Sequence, residues 1–111
     1  MFVKLAGDAK SNHGQDGKKK DGKYTKLARE PEDEHPTWAG AVNDIINMRI
    51  WFDKAQNHWK IKHKDYLRHN SGGLISTGPA HCPIGLQWKY WHWNTRKWID
   101  AGEDAKVEIE P

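Results

Sequence analysis

Residues 45–63 constrain the fold of this chain more than any other stretch. Read with a period of two, Ile46, Met48, Ile50 and Phe52 share one face of a strand over 45–53. The residues that follow turn that strand back on itself. If Asp53 pairs with His58 across Lys54-Ala55-Gln56-Asn57, then Phe52 faces Trp59, Ile50 faces Ile61 and Met48 faces His63. One face of the hairpin is then apolar along most of its length. The other sets Trp51 beside Lys60 and Arg49 beside Lys62. A slip of one residue would scramble both faces, so the pattern specifies a single register.

The rest of the chain reads in the same way. Short alternating or aromatic runs at 2–7, 22–30, 73–78, 86–93, 98–101 and 105–110 read as further strands, with Gly- and Pro-containing turns between them. Residues 94–97 (NTRK) turn the long aromatic strand LQWKYWHW back into WIDA, which sets Trp93 opposite Trp98. The two hairpins echo one another: IWFDKAQNHWKI (50–61) and YWHWNTRKWIDA (90–101) both run from aromatics through a polar turn to a Trp. Residues 37–46 fit either a helix with Thr37 as N-cap or an extended segment. The expected fold is therefore all-β: one antiparallel domain over 1–111, a sandwich or a small barrel of seven to eight short strands. Residues 8–22, with three Gly and no apolar residue except Ala9, read as a mobile polar loop.

Composition narrows the function classes. Only 36% of the 111 residues are apolar, yet seven are Trp, a proportion foreign to disordered chains. No run approaches the ~18 apolar residues of a membrane span, and no leader-like apolar segment is visible at the start. Cys82 is the single cysteine, so packing rather than an intrachain disulfide holds the fold. The net charge of +3 is distributed in blocks: 4–29 and 49–68 are basic, 30–34 acidic. Such blocks read as solvated surface more readily than as the continuous basic stripe of a nucleic-acid binder.

Signatures of catalysis and metal binding are incomplete. His58, His63 and His69 have spacings seen among zinc ligands, but no Cys pair accompanies them, and His58 and His63 point to opposite faces of a strand. Cys82 neighbours His81, and adjacent residues on an extended chain point apart. No catalytic residue, metal ligand or cofactor is therefore assigned. What remains is an aromatic–cationic surface, for which the candidates are Arg49, Trp51, Lys60, Trp88, Lys89, Tyr90, Trp91, His92, Trp93 and Trp98. Flat rings give a sugar ring or a base a face to lie on, and the flanking cations suit an acidic ligand. The core must claim some of these rings.

The order of several short motifs adds a resemblance. Gly22-x-Tyr24, IWFD at 50–53, Trp59-x-Ile61, Gly72-Gly73, Pro83 with Trp88 five residues on, and the closing Trp91…Trp98 pair span residues 22–98. Together they resemble small Trp-rich β-modules that recur, often in tandem, in large multidomain eukaryotic proteins. That resemblance implies a binding or structural module and names no ligand. The expected function is a non-catalytic, lectin-like module that binds carbohydrate. The alternatives are a protein-interaction or self-assembly domain and a single-stranded nucleic-acid binder, with no membrane insertion in any of them.

Overall fold

The computed structural model describes residues 1–11, 20–28, 35–40, 47–78 and 81–109. Among them, nine strands form one antiparallel sheet: β1 (Phe2–Leu5), β2 (Gly22–Lys26), β3 (Trp38–Gly40), β4 (Met48–Asp53), β5 (His58–His63), β6 (Leu74–Ser76), β7 (Trp88–His92), β8 (Lys97–Asp100) and β9 (Ala105–Glu108). The first eight strands are ordered as a meander, and β9 returns to pair with β1 at the far edge. Yet β8 and β9 are joined only by residues 101–104, most of them a 3-10 turn (Gly102–Asp104). A link that short spans at most ~18 Å. The two edges of the sheet must therefore approach one another, and the sheet curls into a half-barrel.

The β4–β5 hairpin has the register read from the pattern. Its pairs run Met48–His63, Arg49–Lys62, Ile50–Ile61, Trp51–Lys60, Phe52–Trp59 and Asp53–His58. The β7–β8 hairpin differs from expectation: its end pair is His92–Lys97, the turn is residues 93–96, and Trp91 rather than Trp93 faces Trp98. The cause is visible in the turns. In the first hairpin Asp53 Oδ1 accepts the Gln56 N–H at 3.1 Å, and Asn57 is left-handed with φ 59°. In the second, His92 Nδ1 accepts the Thr95 N–H at 3.3 Å, and Arg96 is left-handed with φ 53°. Both turns start from a residue whose side chain accepts a backbone hydrogen bond. His92 can fill that role and Trp93 cannot, so the second turn begins one residue earlier than the polar run suggests.

Two further expectations change. Strand β3 was hidden because it is three residues long and contains Ala39 and Gly40, which carry little periodicity. It accounts for the extended half of the 37–46 ambiguity, while 41–46 lie outside the described residues. Within the expected polar loop, Gly7–Ser11 form one helical turn, α1, with Ala9 buried, and Lys20 is buried as well. Residues 12–19 lie outside the described part.

The concave face holds the core: Val3, Leu5, Tyr24, Met48, Ile50, Trp59, Ile61, Leu74, Trp88, Tyr90, Ala105 and Val107. Trp59 and Trp88 are fully buried. Phe52 and Trp38 pack on Trp59 with ring centroids 5.4 and 5.9 Å away. Helix α1 is tied to β7, because the Tyr90 hydroxyl donates to the Asp8 carboxylate. That bond, with burial, raises the Tyr90 pKa to about 12.

Candidate binding cleft

On the convex face the alternation of β5 points Lys60 and Lys62 outward, where lysine normally meets solvent. Instead they are only 2% and 3% exposed. The segment 64–73, which begins as a 3-10 turn (Lys64–Tyr66), folds back over them. Lys60 Nζ sits 2.7 Å from Asp53 Oδ2 and donates to the Leu67 carbonyl at 3.0 Å. Lys62 Nζ donates to the carbonyls of His69 at 2.7 Å and Ser71 at 2.8 Å. A strap with no ladder partner for these carbonyls thus satisfies them with buried ammonium groups. Arg68, on the same strap, lies 5.5 Å from the centroid of the Trp51 ring, a cation–π contact.

The electrostatics follow from this burial. Burial by itself would raise the Asp53 carboxyl, but the Lys60 hydrogen bond, the Gln56 N–H and the Lys60 charge outweigh it and hold the pKa below the ordinary value. Among the described residues Lys62 has no carboxylate at ion-pair distance, and the more distant Asp53 charge offsets its burial only in part. Desolvation first, then the neighbouring Lys60 charge, lower its pKa to about 8.

Between the strap and the β7–β8 turn lies a cavity of about 490 Å³. Three cationic side chains line it, Lys20, Lys62 and Arg96, together with His63, His69 and the rings of Tyr66 and Trp93. No Asp or Glu is among its described lining residues. Each element supplies its part for a local reason. His63 ends β5 and caps the 3-10 turn, its Nδ1 accepting the Asp65 N–H at 3.1 Å. The Tyr66 ring stands between His63 and His69, with centroids 5.4 and 5.2 Å away. Trp93, the first turn residue after β7, packs edge-on against Trp91 at 6.1 Å, and Trp91 packs against Trp98 at 5.2 Å. The floor is Gly72-Gly73, where the strap rejoins the sheet.

Of the residues expected to form an aromatic–cationic surface, only Trp93 lines this cleft. Trp88 and Tyr90 belong to the core instead, because the even positions of β7 face inward. Lys60 is consumed by its buried pair with Asp53. Trp51 is half-buried beneath Arg68. Arg49 is half-buried, and its Nη1 donates to the Met48 carbonyl at 2.9 Å. Lys89 lies half-buried between Ile75 and Asp100 in the sheet, and His92 serves the turn. Trp91 and Trp98 are half-buried and form the packing behind Trp93. The cleft residues absent from the expected surface are Lys20, Lys62, His63, Tyr66, His69 and Arg96. For Lys62 a signal existed, since alternation sets it on the outer face of β5. Nothing in the sequence brings Lys20 or the strap to it.

Comparison with known proteins adds no family: no family model, no curated protein and no solved structure matches the chain. No helix among the described residues is long and apolar enough to cross a membrane.

Proposed function

We propose that this chain is a non-catalytic binding module whose ligand is a carbohydrate, held in the cleft between the strap and the β7–β8 turn. The observation that carries this reading is that Trp93 and Tyr66 line one cavity together with nitrogen donors from three separate segments. A pyranose offers an apolar C–H face to a ring and hydroxyls at its rim, and such a site matches both. Pockets for small ligands are typically about 300–1,000 Å³, so the volume suits one or two sugar units. The test is a glycan array combined with tryptophan-emission titration of the purified chain. Saturable binding that shifts the emission, and that Trp93→Ala abolishes with the circular-dichroism spectrum unchanged, is the expected result. No binding to any sugar class would remove the reading.

A different feature favours a second reading, self-assembly. Strand β9 is an edge, and beside it runs a groove of about 430 Å³ that includes Ile84, Leu86, Val107 and Ile109, the last 75% exposed. An open strand with apolar flanks is a template for pairing with another chain. Light scattering that finds a stable dimer, lost in Ile109→Lys, is the expected outcome of that reading. A monomer at all accessible concentrations would dismiss it.

A further inference from the structure

The charge of the cleft says more about its occupant than its rings do. Lys20, Lys62 and Arg96 converge on one cavity that no Asp or Glu lines among the described residues. Lys62 Nζ donates there to two carbonyls, at 2.7 and 2.8 Å, and the Asp53 charge acts on it only from farther off, so its own charge is oriented and at most partly compensated. Arg96 supplies an independent observation. It occupies the left-handed position of its turn, φ 53°, where the matching turn of the β4–β5 hairpin carries Asn57 at φ 59°. Asn tolerates that conformation through its short polar side chain, whereas a long side chain is uncommon there. The backbone of this turn therefore favours Asn. What Arg adds is a guanidinium on the cleft wall, a planar fork of donors matched to an oxyanion.

We infer that the saccharide taken by this cleft is acidic, and that its oxyanion, a sulfate ester or a carboxylate, is held between Lys62 and Arg96 while a sugar face lies against Trp93. This rests on the carbohydrate reading above and narrows its ligand class. A nucleic acid strand is a poorer fit, because the cations are gathered in one compact cavity rather than along a track.

The experiment is calorimetric titration of the full chain with four probes: a neutral oligosaccharide, a uronate-only oligosaccharide, a sulfated oligosaccharide and a single-stranded oligonucleotide. At least one acidic sugar should bind, with affinity that falls as salt is raised. The neutral sugar should bind about tenfold or more weakly, as expected for loss of a hydrogen-bonded charged group. Which acidic probe wins identifies the oxyanion, and either supports the inference. Arg96→Asn is the decisive variant, since the sister turn shows that Asn folds at this position. It should weaken the acidic sugar about tenfold and the neutral one by a clearly smaller factor. Equal binding of neutral and acidic sugars, or an Arg96→Asn variant with undiminished affinity, overturns the oxyanion site while the carbohydrate reading stands. Absence of binding by all three sugars overturns both. Tightest binding by the oligonucleotide overturns the saccharide as occupant.

Discussion

Lys60→Met is expected to cost about 3–5 kcal/mol of folding stability, the usual penalty for removing one partner of a buried ion pair. The wild-type geometry explains why. Lys60 and Asp53 are 2% and 5% exposed, their charged atoms are 2.7 Å apart, and the ammonium also donates to the Leu67 carbonyl. Methionine fills the volume but leaves the Asp53 carboxylate buried without its paired ammonium and the Leu67 carbonyl of the strap without its donor. A domain of this size commonly has about 5–15 kcal/mol in total, so the variant should be partly unfolded in mild denaturant. Replacing both partners, Asp53→Leu with Lys60→Met, should restore the part of the loss due to the unpaired buried charge, less the turn hydrogen bond that Asp53 Oδ1 accepts from Gln56. Acid provides a second readout. The folded pKa of Asp53 lies below its ordinary value of 3.8, so the stabilisation is complete above that pH. It is lost as pH falls through the folded pKa, and the double variant should lack this part of the acid transition. Unfolding free energies from urea titration that differ by less than about 1 kcal/mol between wild type and Lys60→Met would show the pair to be open to solvent.

The same pair shows how far the sequence could be read. Alternation on β4 and β5 set Trp51 opposite Lys60 and Arg49 opposite Lys62, and the structure has those pairs. Periodicity is a property of one strand and its neighbour, and there the sequence is explicit. Whether an outward face meets water depends on what crosses it, and the strap at 64–73 carries no periodic pattern. Its residues, Lys64, Asp65, Arg68, His69 and Asn70 among them, read as solvated loop. The strap is tied to the sheet lysines through the backbone carbonyls of Leu67, His69 and Ser71, a group common to every sequence. The outer face was therefore legible and its covering was not, which is why Lys60 was expected on a surface and is buried.

The second hairpin fails for a subtler reason. Four polar residues, Asn94 to Lys97, look like the turn, but the acceptor that organises it is His92. A histidine inside an aromatic strand gives no warning that it will act as Asp53 does. Shifting the turn by one residue moved Trp93 off the strand and into the cleft, where it is the one member of the expected surface that reaches the candidate site. The seven Trp divide accordingly. Trp59 and Trp88 are core, Trp38 packs on the core, Trp51 lies under Arg68, and Trp91 and Trp98 support Trp93.

The strap has one point where its path is fixed by backbone alone, and Gly73→Ala is expected to show it with a loss of about 3 kcal/mol or more. Gly73 has φ 70°, so any side chain there is strained. A Cβ would also overlap the carbonyl oxygen of Ile61 and crowd Lys62 Cγ. Ile61 cannot withdraw, because it is paired with Ile50 on one side and Leu74 on the other. The Gly73 carbonyl in turn accepts the Trp91 N–H at 3.0 Å, so moving the strap also breaks its link to β7. Gly102→Ala is the matched control: its φ is 55°, but its Cβ would meet nothing within 4 Å. That variant should lose only the conformational part, about 1–2 kcal/mol. The excess at Gly73 measures how closely the strap is pressed on β5. It should also carry a functional signature, because Ser71, whose carbonyl holds Lys62, and the Gly72-Gly73 floor of the cleft lie within two positions of it. Gly73→Ala should therefore lose ligand affinity under conditions where it remains folded, and Gly102→Ala should not. Equal thermal unfolding of the two variants would mean that the strap is not held against the sheet in solution, and that the cleft has a different shape from the one described.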